Sequence, residues 1–397
     1  MKAVEISKTG GPEVLEIKEI TLDKPGADQV TIEHKAIGLN YTDTYHRSGL
    51  YPLKLPSGIG VEAAGIIKEI GSDVKEFGVG DKISYSGAPL GAYATHRNYP
   101  IKNLVKVPNN IDLEIAATLM TKGLTTFYLL HKTYPVKSGE TILFHAAAGG
   151  VGQIFGQWAK TLGCTVIGTV GSDEKINKAK SCGYDHIINY NKENFSEKVL
   201  EITNGKGVSV VYDGVGKTTL EGSLECLSIR GMMVSFGNAS GALSPIDVPK
   251  LLQPKGLYFI RPSMQQYLRT SEEINEAANA LFERIGSGKH LSAEDVLQQL
   301  IETKSRVSLA TIYRTLKLLV KMGFLHELEL SEGGHRFELA SNDNPDHHHL
   351  VCVRCGRTEE FESEPVLRAG LMAAERIGFK LIESTLNVRA ICPSCQD

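Results

Sequence analysis

One stretch of this chain decides its fold: Thr141-Ile142-Leu143-Phe144-His145-Ala146-Ala147-Ala148-Gly149-Gly150-Val151-Gly152. An apolar run of strand length leads into a glycine cluster, and residues 153–162 then repeat at helical spacing. A strand, a glycine turn and a helix in this order form a dinucleotide site, because the glycines let backbone N–H groups approach a pyrophosphate and the helix N-terminus supplies positive potential. The stretch predicts an α/β domain with a doubly wound parallel sheet. Its predicted cofactor contacts are Ala148, Gly149, Gly150, Val151 and Gly152.

The next predicted strand, residues 165–170, bears on which dinucleotide is bound. It ends in Gly171 and Ser172, where an acidic residue would bind the ribose hydroxyl of NAD. An acid there would repel a 2′-phosphate, whereas Ser172 and Lys175 can accept one. The sequence therefore predicts NADPH as the cofactor. The alternative for Lys175 is a solvated lysine at a helix start.

The residues before this domain have a strand-and-turn pattern. Alternating runs at residues 2–6, 14–20 and 29–37 are separated by proline and glycine, so they predict a β-rich domain. After the domain, residues 271–285 repeat apolar side chains on one face and predict a helix that Ser271 caps.

Length and charge limit the possible functions. At 397 residues the chain exceeds the roughly 250–300 residues of a single core, so about two to four domains are expected. A net charge of -3 predicts no nucleic-acid affinity for the chain as a whole, so DNA binding would need a local patch. No apolar run reaches the ~18 residues of a membrane span, and residues 1–5 lack the apolar core of a signal peptide. We expect a cytoplasmic protein.

Two N-terminal segments carry a family resemblance. They are Asn40-Tyr41-Thr42-Asp43-Thr44-Tyr45 and Ser48-Gly49-Leu50-Tyr51-Pro52. Together with the glycine stretch, they resemble the zinc-free quinone oxidoreductases of the medium-chain dehydrogenase/reductase superfamily over residues 1–289. Zinc alcohol dehydrogenases of that superfamily have a Cys and a His ligand where this chain has Asn40 and Val61.

This resemblance implies two domains and a reaction. Residues 1–122, with 256–289, would form a GroES-like catalytic domain, which is incomplete because the family's closing segment is missing. Residues 123–255 would form a Rossmann NADPH-binding domain. The implied reaction is hydride transfer from NADPH to a quinone or to a conjugated carbonyl such as an enone. We expect exposed apolar surface where the closing segment is missing.

The resemblance also implies roles for individual residues. Asn40, Tyr45 and Tyr51 would lie beside the nicotinamide and the quinone as catalytic residues. From residue type alone, the alternative is that the tyrosines pack and Asn40 caps a turn. The further cofactor contacts that it implies are Thr126, Lys175, Tyr190, Val215, Phe236 and Asn238.

After residues 286–290 the pattern changes, and cysteines and histidines cluster. Cys352-x-x-Cys355 and Cys392-x-x-Cys395 put four thiolates within reach of one tetrahedral ion, and soft ligands favour structural zinc. In a chain without an export signal, paired cysteines favour a metal over disulfides. His347 and His349 alternate along an extended segment and so point the same way, although a polar histidine-rich turn is the alternative.

Between the seam and these cysteines the sequence predicts short helices and a β-ribbon. Ser308 caps a helix whose polar side carries Arg314 and Lys317, the layout of a DNA-recognition helix or of a solvated face. Residues 326–330 and 336–339 predict the two strands of a wing.

Four segments of this part resemble the ferric uptake regulator family: residues 291–295, 308–316, 337–339 and 347–352. The resemblance implies a partial winged helix-turn-helix at 290–340 and a small α/β zinc-binding dimerisation domain at 341–397. It implies a double-stranded DNA operator as partner, contacted by Tyr313 and Arg314. A regulatory site for Fe²⁺ or Zn²⁺ would use His290, Glu338, His347 and His349. Since both families are dimeric, we expect a homodimer.

Three functions follow from these patterns: an NADPH-dependent quinone reductase, a metal-responsive DNA-binding repressor, or two joined fragments with neither activity. The regulator resemblance lacks its family's opening helices. We therefore hypothesise that the helix at residues 271–285 takes the place of one of them, although its single apolar face cannot pack fully in both halves.

Overall fold

The computed structural model describes residues 1–109, 111–286, 325–330, 334–339, 347–352, 358–363 and 386–391, together with 365, 368, 369, 372 and 376. The chain divides into two compact units, residues 1–316 and 317–397. Among the described helices, none is long and apolar enough to cross a membrane.

The first unit begins with a β domain. Its strands are β1 (Lys2–Ile6), β2 (Glu16–Glu19), β3 (Gln29–Gly38), β4 (Ser57–Gly58), β5 (Glu62–Ile70), β6 (Lys82–Ser86), β7 (His96–Pro100) and β8 (Leu104–Lys106), and helix α1 (Tyr41–Ser48) lies between β3 and β4. One sheet has the order β2-β1-β4 and the other the order β7-β3-β5-β6-β8. The strands predicted at 2–6 and 29–37 are confirmed. The one predicted at 14–20 begins at Glu16, because Pro12–Val14 forms a 3-10 turn.

A long helix, α2 (Leu113–Tyr128), joins the β domain to the parallel sheet and continues into a π-helical turn at Leu129–Thr133. Most of its side chains are buried, which is typical of a helix with protein on nearly every side. It packs against β3, β5 and β6 of the β domain. Its position makes it the boundary between the two domains.

The parallel sheet follows the predicted order of strand and helix. Its elements are β9 (Thr141–Phe144), α3 (Gly150–Thr161), β10 (Thr165–Val170), α4 (Ile176–Ser181), β11 (His186–Asn189), α5 (Phe195–Ile202), β12 (Val208–Asp213), α6 (Leu220–Cys226), β13 (Leu227–Ser235), α7 (Val248–Leu251) and β14 (Tyr258–Ile260). The strand order is β11-β10-β9-β12-β13-β14, and the pairs are parallel. The order reverses between β9 and β12, which is the switch point of a Rossmann sheet. The Rossmann prediction is confirmed.

The short helix α8 (Met264–Tyr267) and the longer α9 (Ser271–Gly286) complete the described part of the first unit. On α9, Ala277, Ala278 and Leu281 are fully buried, and Leu281 packs over Gly123 of α2. At the other end, Arg284 stacks on Trp158 of α3 at 4.4 Å from the ring centroid. The helix predicted at 271–285 is confirmed. Its apolar face is buried in the first unit. That it also takes the place of a regulator helix stays a hypothesis.

The described strands of the second unit form two small sheets. The strands β15 (Leu325–Leu330) and β16 (Gly334–Leu339) form an antiparallel hairpin, as predicted for the wing. The strands β17 (His347–Cys352), β18 (Thr358–Glu362) and β19 (Asn387–Ala390) have the order β18-β17-β19. The helices predicted before the wing lie outside the described residues, so the winged helix-turn-helix and the zinc-binding domain stay predictions.

If α9 belongs to the first unit, shortening its core side chain will destabilise that unit. Leu281 has no exposed surface, so Leu281→Ala should lower the free energy of unfolding by about 2–5 kcal/mol. Urea denaturation followed by tryptophan fluorescence measures this, because Trp158 lies in the same unit. The exposed Glu283→Ala is the matched control and should change the unfolding free energy by less than about 0.5 kcal/mol. Equal midpoints for the two variants would contradict the packing.

Candidate functional site

The glycine turn between β9 and α3 is shaped for the close approach of a ligand. Ala146 adopts a left-handed backbone with φ of 60°, a strained conformation for a residue that has a Cβ. A Cβ at Gly152 would lie 2.5 Å from the carbonyl oxygen of Ala146, so only glycine fits there. The turn delivers the chain to the N-terminus of α3, where backbone N–H groups lack partners within the helix. This geometry suits a pyrophosphate.

The end of β10 brings together three predicted cofactor contacts, of which Ser172 and Lys175 are predicted to accept a 2′-phosphate. Ser172 precedes a 3-10 turn that Lys175 ends, and the Tyr190 hydroxyl lies over Gly171. Burial lowers the pKa of the half-buried Lys175 ammonium. The acidic Asp173 does not oppose a phosphate there, because its carboxylate is bound by Lys192 and by Asn189, whose Nδ2 donates at 2.7 Å.

A buried aspartate shapes the loops at the ends of β12 and β13. Asp213 Oδ1 accepts hydrogen bonds from the backbone N–H groups of Val215 and Gly216 at 2.7 and 2.9 Å. The backbone N–H of Phe236 donates to the Asp213 carbonyl at 2.8 Å. These bonds place Val215 and Phe236 at the carboxyl edge of the sheet, beside the switch point.

Asn40 stands at the start of α1, where a second buried acid lies beneath it. Asp43 Oδ2 accepts from the Asn40 backbone N–H at 2.9 Å and from the Tyr93 hydroxyl at 2.8 Å. Burial raises the pKa of Asp43 to about 7. Its other oxygen, Oδ1, is buried and has no hydrogen-bond partner among the described residues.

Two tyrosines bring the β domain into contact with the Rossmann domain. The Tyr45 hydroxyl accepts from the backbone N–H of Asn238 at 3.1 Å. The Tyr51 hydroxyl accepts from Arg261 Nη2 at 3.3 Å, and Arg261 Nη1 is held by the Gly237 carbonyl at 2.8 Å. The rings of Tyr45 and Tyr51 meet edge to face, with centroids 5.1 Å apart. Burial raises the pKa of Tyr45 to about 12, so its hydroxyl keeps its proton.

The structure thus brings Asn238 and the predicted tyrosines together. These residues lie at a cleft between the β domain and the Rossmann domain. The structure does not place Thr126 at the surface of this cleft, because that side chain is fully buried and its hydroxyl donates to the Lys122 carbonyl at 3.0 Å. A role for Thr126 beside the nicotinamide stays a prediction.

Three residues near this cleft were missed by sequence reasoning: Glu62, Lys122 and Arg261. Glu62 is fully buried, and its Oε2 accepts from Asn40 Nδ2 at 2.5 Å. Lys122 is buried on α2, with its Nζ 3.8 Å from the same carboxylate oxygen. The signal that could have found Glu62 and Lys122 is a charged residue inside an otherwise apolar segment. Arg261 had no such signal.

In the second unit only backbone positions bear on the predicted metal sites. The ladder pairs His347 with Glu362 and His349 with Glu360, so these positions share one face of the sheet. Glu338 lies on β16 and Cys352 ends β17. The other predicted ligands and the DNA contacts lie outside the described residues: His290, Cys355, Cys392, Cys395, Tyr313, Arg314 and Lys317. Within the part that the structure describes, no group of three or more His, Cys, Asp or Glu could hold a metal ion.

Comparison with known proteins agrees with this architecture. The profile described as "Alcohol dehydrogenase GroES-like domain" matches residues 26–109, and "Zinc-binding dehydrogenase" matches residues 150–283. A quinone oxidoreductase of Salmonella typhimurium is 51% identical over 286 residues, which make up 72% of this chain and 88% of that protein. The chain belongs to the quinone oxidoreductase family. Its GroES-like domain and Rossmann sheet are those of the medium-chain dehydrogenase/reductase superfamily.

Other relatives extend this picture. A crystal structure of Escherichia coli quinone oxidoreductase complexed with NADPH superimposes with a TM-score of 0.71 at 50% identity, covering 72% of this chain and 89% of that one. A 2-haloacrylate reductase of a Burkholderia species is 46% identical over 72% of this chain and 88% of its own length. A "Ferric uptake regulator family" profile matches residues 269–389. The joining of the two families in one chain stays a prediction.

The buried Asp43 predicts a distinctive pH dependence. Its pKa in the folded protein, about 7, exceeds its ordinary value of 3.8, so the folded state holds an extra proton between these values. The carboxyl therefore costs stability increasingly as the pH rises through that window. Asp43→Asn keeps an acceptor oxygen and has no charge. We expect its unfolding free energy, relative to wild type, to rise between pH 4 and pH 7.

Asp81→Asn is the control of opposite sign for this measurement. The hydrogen bond from Lys106 lowers the pKa of Asp81, so this carboxylate stabilises the fold above its ordinary pKa. The stability deficit of Asp81→Asn should shrink as the pH falls below about 4. If the difference in unfolding free energy between wild type and Asp43→Asn were the same at every pH, Asp43 would not take up a proton in this range, and the prediction would be wrong.

Proposed function

We propose that residues 1–286 form an NADPH-dependent reductase of quinones and related conjugated carbonyls. One observation carries this proposal: the hydroxyls of Tyr45 and Tyr51 each accept a hydrogen bond from a protein donor at the edge of the Rossmann domain. Because each oxygen already accepts, each O–H is left to donate outward. Two outward donors beside a dinucleotide site suit the oxygen atoms of a quinone.

The residues present fit NADPH. The glycine turn and the N-terminus of α3 would hold the pyrophosphate, and Ser172, Lys175 and Tyr190 would hold the 2′-phosphate. The NADPH complex of the 50% identical E. coli enzyme supports this choice. When bound, the cofactor supplies a hydride.

The protein would orient the substrate and stabilise charge on its oxygen. Tyr45 keeps its proton at neutral pH, since its pKa is raised to about 12, and it would donate a hydrogen bond to a substrate carbonyl. The Arg261 guanidinium behind Tyr51 strengthens the donor character of that hydroxyl. Asn40, held by Glu62, would complete the polar wall with its carboxamide. Solvent can supply the proton that completes reduction to the quinol.

The substrate class includes conjugated carbonyls other than quinones. The support is the 46% identical 2-haloacrylate reductase, whose name describes reduction of a conjugated acid. Both substrates present an oxygen atom conjugated to the carbon that accepts a hydride, so the same pair of tyrosine donors suits both.

Loss of the Tyr45 hydroxyl should slow reduction without loss of the fold. We expect wild type to oxidise NADPH in the presence of 1,4-naphthoquinone, and Tyr45→Phe to lower kcat by about 10²-fold, as for loss of one preorganised donor. The matched control is Tyr41→Phe, because Tyr41 is half exposed and packs edge-on against Tyr45. Equal kcat values for the two variants would exclude a role for the Tyr45 hydroxyl. Absence of NADPH oxidation by wild type would overturn the proposed function.

A second candidate function belongs to residues 290–397: a metal-dependent DNA-binding regulator. It is supported by the profile match at residues 269–389 and by the β-hairpin followed by the β18-β17-β19 sheet. The register that pairs His349 with Glu360 adds an acidic position opposite a predicted ligand. We infer a homodimer from the same family resemblance.

Metal content tests this second candidate on the full chain. If the four cysteines bind zinc, the purified protein should contain zinc, and Cys355→Ser should release it. His349→Ala should retain that zinc while losing Mn²⁺-dependent binding to operator DNA, measured by fluorescence anisotropy. The matched control is His335→Ala on β16, outside the predicted ligand set. A zinc-free wild-type protein that binds no DNA would leave the first unit as the functional part.

A further inference from the structure

Glu62 is a buried carboxylate with an unusual set of partners. It opens β5, has no exposed surface, and is followed by buried apolar residues. Its Oε1 accepts from the backbone N–H of Thr121 at 2.7 Å, and its Oε2 accepts from Asn40 Nδ2 at 2.5 Å. Lys122 Nζ lies 3.8 Å from Oε2. A single carboxylate therefore holds the start of α1 and the middle of α2.

The contact with Asn40 fixes which way its carboxamide faces. Because Nδ2 donates to Glu62 and the Asn40 backbone N–H donates to Asp43, the residue is anchored at two points. The Glu62 carboxylate therefore determines the rotamer of Asn40.

Lys122 extends the same connection to the cofactor turn. A Cβ at Gly150 would lie 2.9 Å from Lys122 Cε and 3.0 Å from Cδ, so the lysine stem runs directly beneath this glycine. At its end, the ammonium donates to the Thr118 carbonyl at 2.7 Å and faces Glu62. The lysine thus spans from the glycine turn of the Rossmann domain to a carboxylate of the β domain.

Stability alone does not account for this arrangement. Two buried charges lose their hydration, and a well-packed apolar pair at such a place is often as stable or more stable. Burial raises the pKa of Glu62, which shows that the site resists a charge there. A buried ion pair that also meets a glycine turn and an active-site asparagine is better explained by the positions that it imposes on both.

We propose that Glu62 is a positioning residue: it holds the Asn40 carboxamide in place at the start of α1 and, through Lys122, ties it to the glycine turn of the cofactor site. This proposal rests on the proposed function. It makes Asn40 and the cofactor turn two ends of one connected unit. Glu62 thus has two connections, the Asn40 arm (Glu62 to Asn40) and the Lys122 arm (Glu62 through Lys122 to Gly150). Disturbing Glu62 must then affect catalysis through the first and cofactor binding through the second.

Two double-mutant cycles test the two arms separately. In the first, Glu62→Gln and Asn40→Asp should each lower kcat with 1,4-naphthoquinone by about tenfold or more. Glu62→Gln leaves one acceptor oxygen for two donors, Asn40 Nδ2 and the Thr121 N–H, and Asn40→Asp sets two carboxylates against each other. The combination Asn40→Asp/Glu62→Gln restores an amide opposite a carboxylate. Its kcat should exceed that of Asn40→Asp alone. Multiplication of the two single losses in the double variant would overturn the Asn40 arm.

The second cycle measures the dissociation constant of NADPH by its fluorescence, which requires no turnover. Lys122→Met keeps the stem beneath Gly150 but removes the ammonium, so it and Glu62→Gln should each weaken NADPH binding several-fold. The Glu62→Gln/Lys122→Met variant, in which no buried charge is left unpaired, should be no weaker than either single variant. If Glu62→Gln alone fails to fold, the NADPH affinity of this double variant can still be compared with that of Lys122→Met. Additive losses would overturn the Lys122 arm.

The matched control is Glu33→Gln on β3. Glu33 also forms ion pairs, with Lys35 at 3.1 Å and Lys68 at 2.6 Å, and neither lysine belongs to the Asn40 or Lys122 connection. It should change the melting temperature but neither kcat nor NADPH affinity. If wild type binds NADPH but reduces no quinone or enone, the proposed function fails while the second cycle still decides the Lys122 arm. If NADPH is not bound, both proposals fail.

Discussion

Burial of α2 on nearly every side is the constraint on which the first unit depends. A helix in this position can leave no polar group to water, so each one must find a partner inside the protein. The Thr121 N–H and the Lys122 ammonium both turn to Glu62, and the Ala116 carbonyl accepts from Ser84 of β6 at 3.2 Å. Satisfying this one helix fixes the β domain and the parallel sheet relative to each other.

The cleft is a consequence of that fixed arrangement. Because α2 sets the separation of the two domains, the Tyr45 hydroxyl reaches the backbone of Asn238, and Arg261 reaches the hydroxyl of Tyr51. Polar groups from separate domains thus meet at the carboxyl edge of the Rossmann sheet, which is where open α/β sheets bind ligands. Burial also raises the pKa of the Tyr45 hydroxyl to about 12. Positioning and desolvation together provide the hydrogen-bond donors.

Two sequence patterns meet near residues 286–290, but the structure assigns α9 to the first of them. Its buried alanines and Leu281 pack on α2, and its Arg284 stacks on the cofactor helix α3. A helix with one apolar stripe has one such face to bury. The hypothesis that this helix also completed the regulator assigned one apolar face to two cores. The regulator profile nevertheless begins at residue 269 and so includes α9, and the strands from Leu325 onward lie within the same match.

Much of the fold could be predicted from sequence because it depends on local periodicity and turn chemistry. The alternation of β3, the Thr141 to Gly152 turn and the apolar stripe of α9 are all signals within a short window. The same holds for Ser172, whose place after β10 predicts the phosphate end of the cofactor site.

Only the tertiary structure decided which residues far apart in the chain contact each other. Asn40 and Glu62 are 22 positions apart, Tyr45 and Asn238 are 193 apart, and Tyr51 and Arg261 are 210 apart. A buried charge in sequence signals that a partner exists, but not which residue it is, because that depends on how α2 packs. The sequence by itself therefore determined the cofactor fold and its family. The packing of α2 decided which polar groups meet at the cleft between the two domains of the first unit.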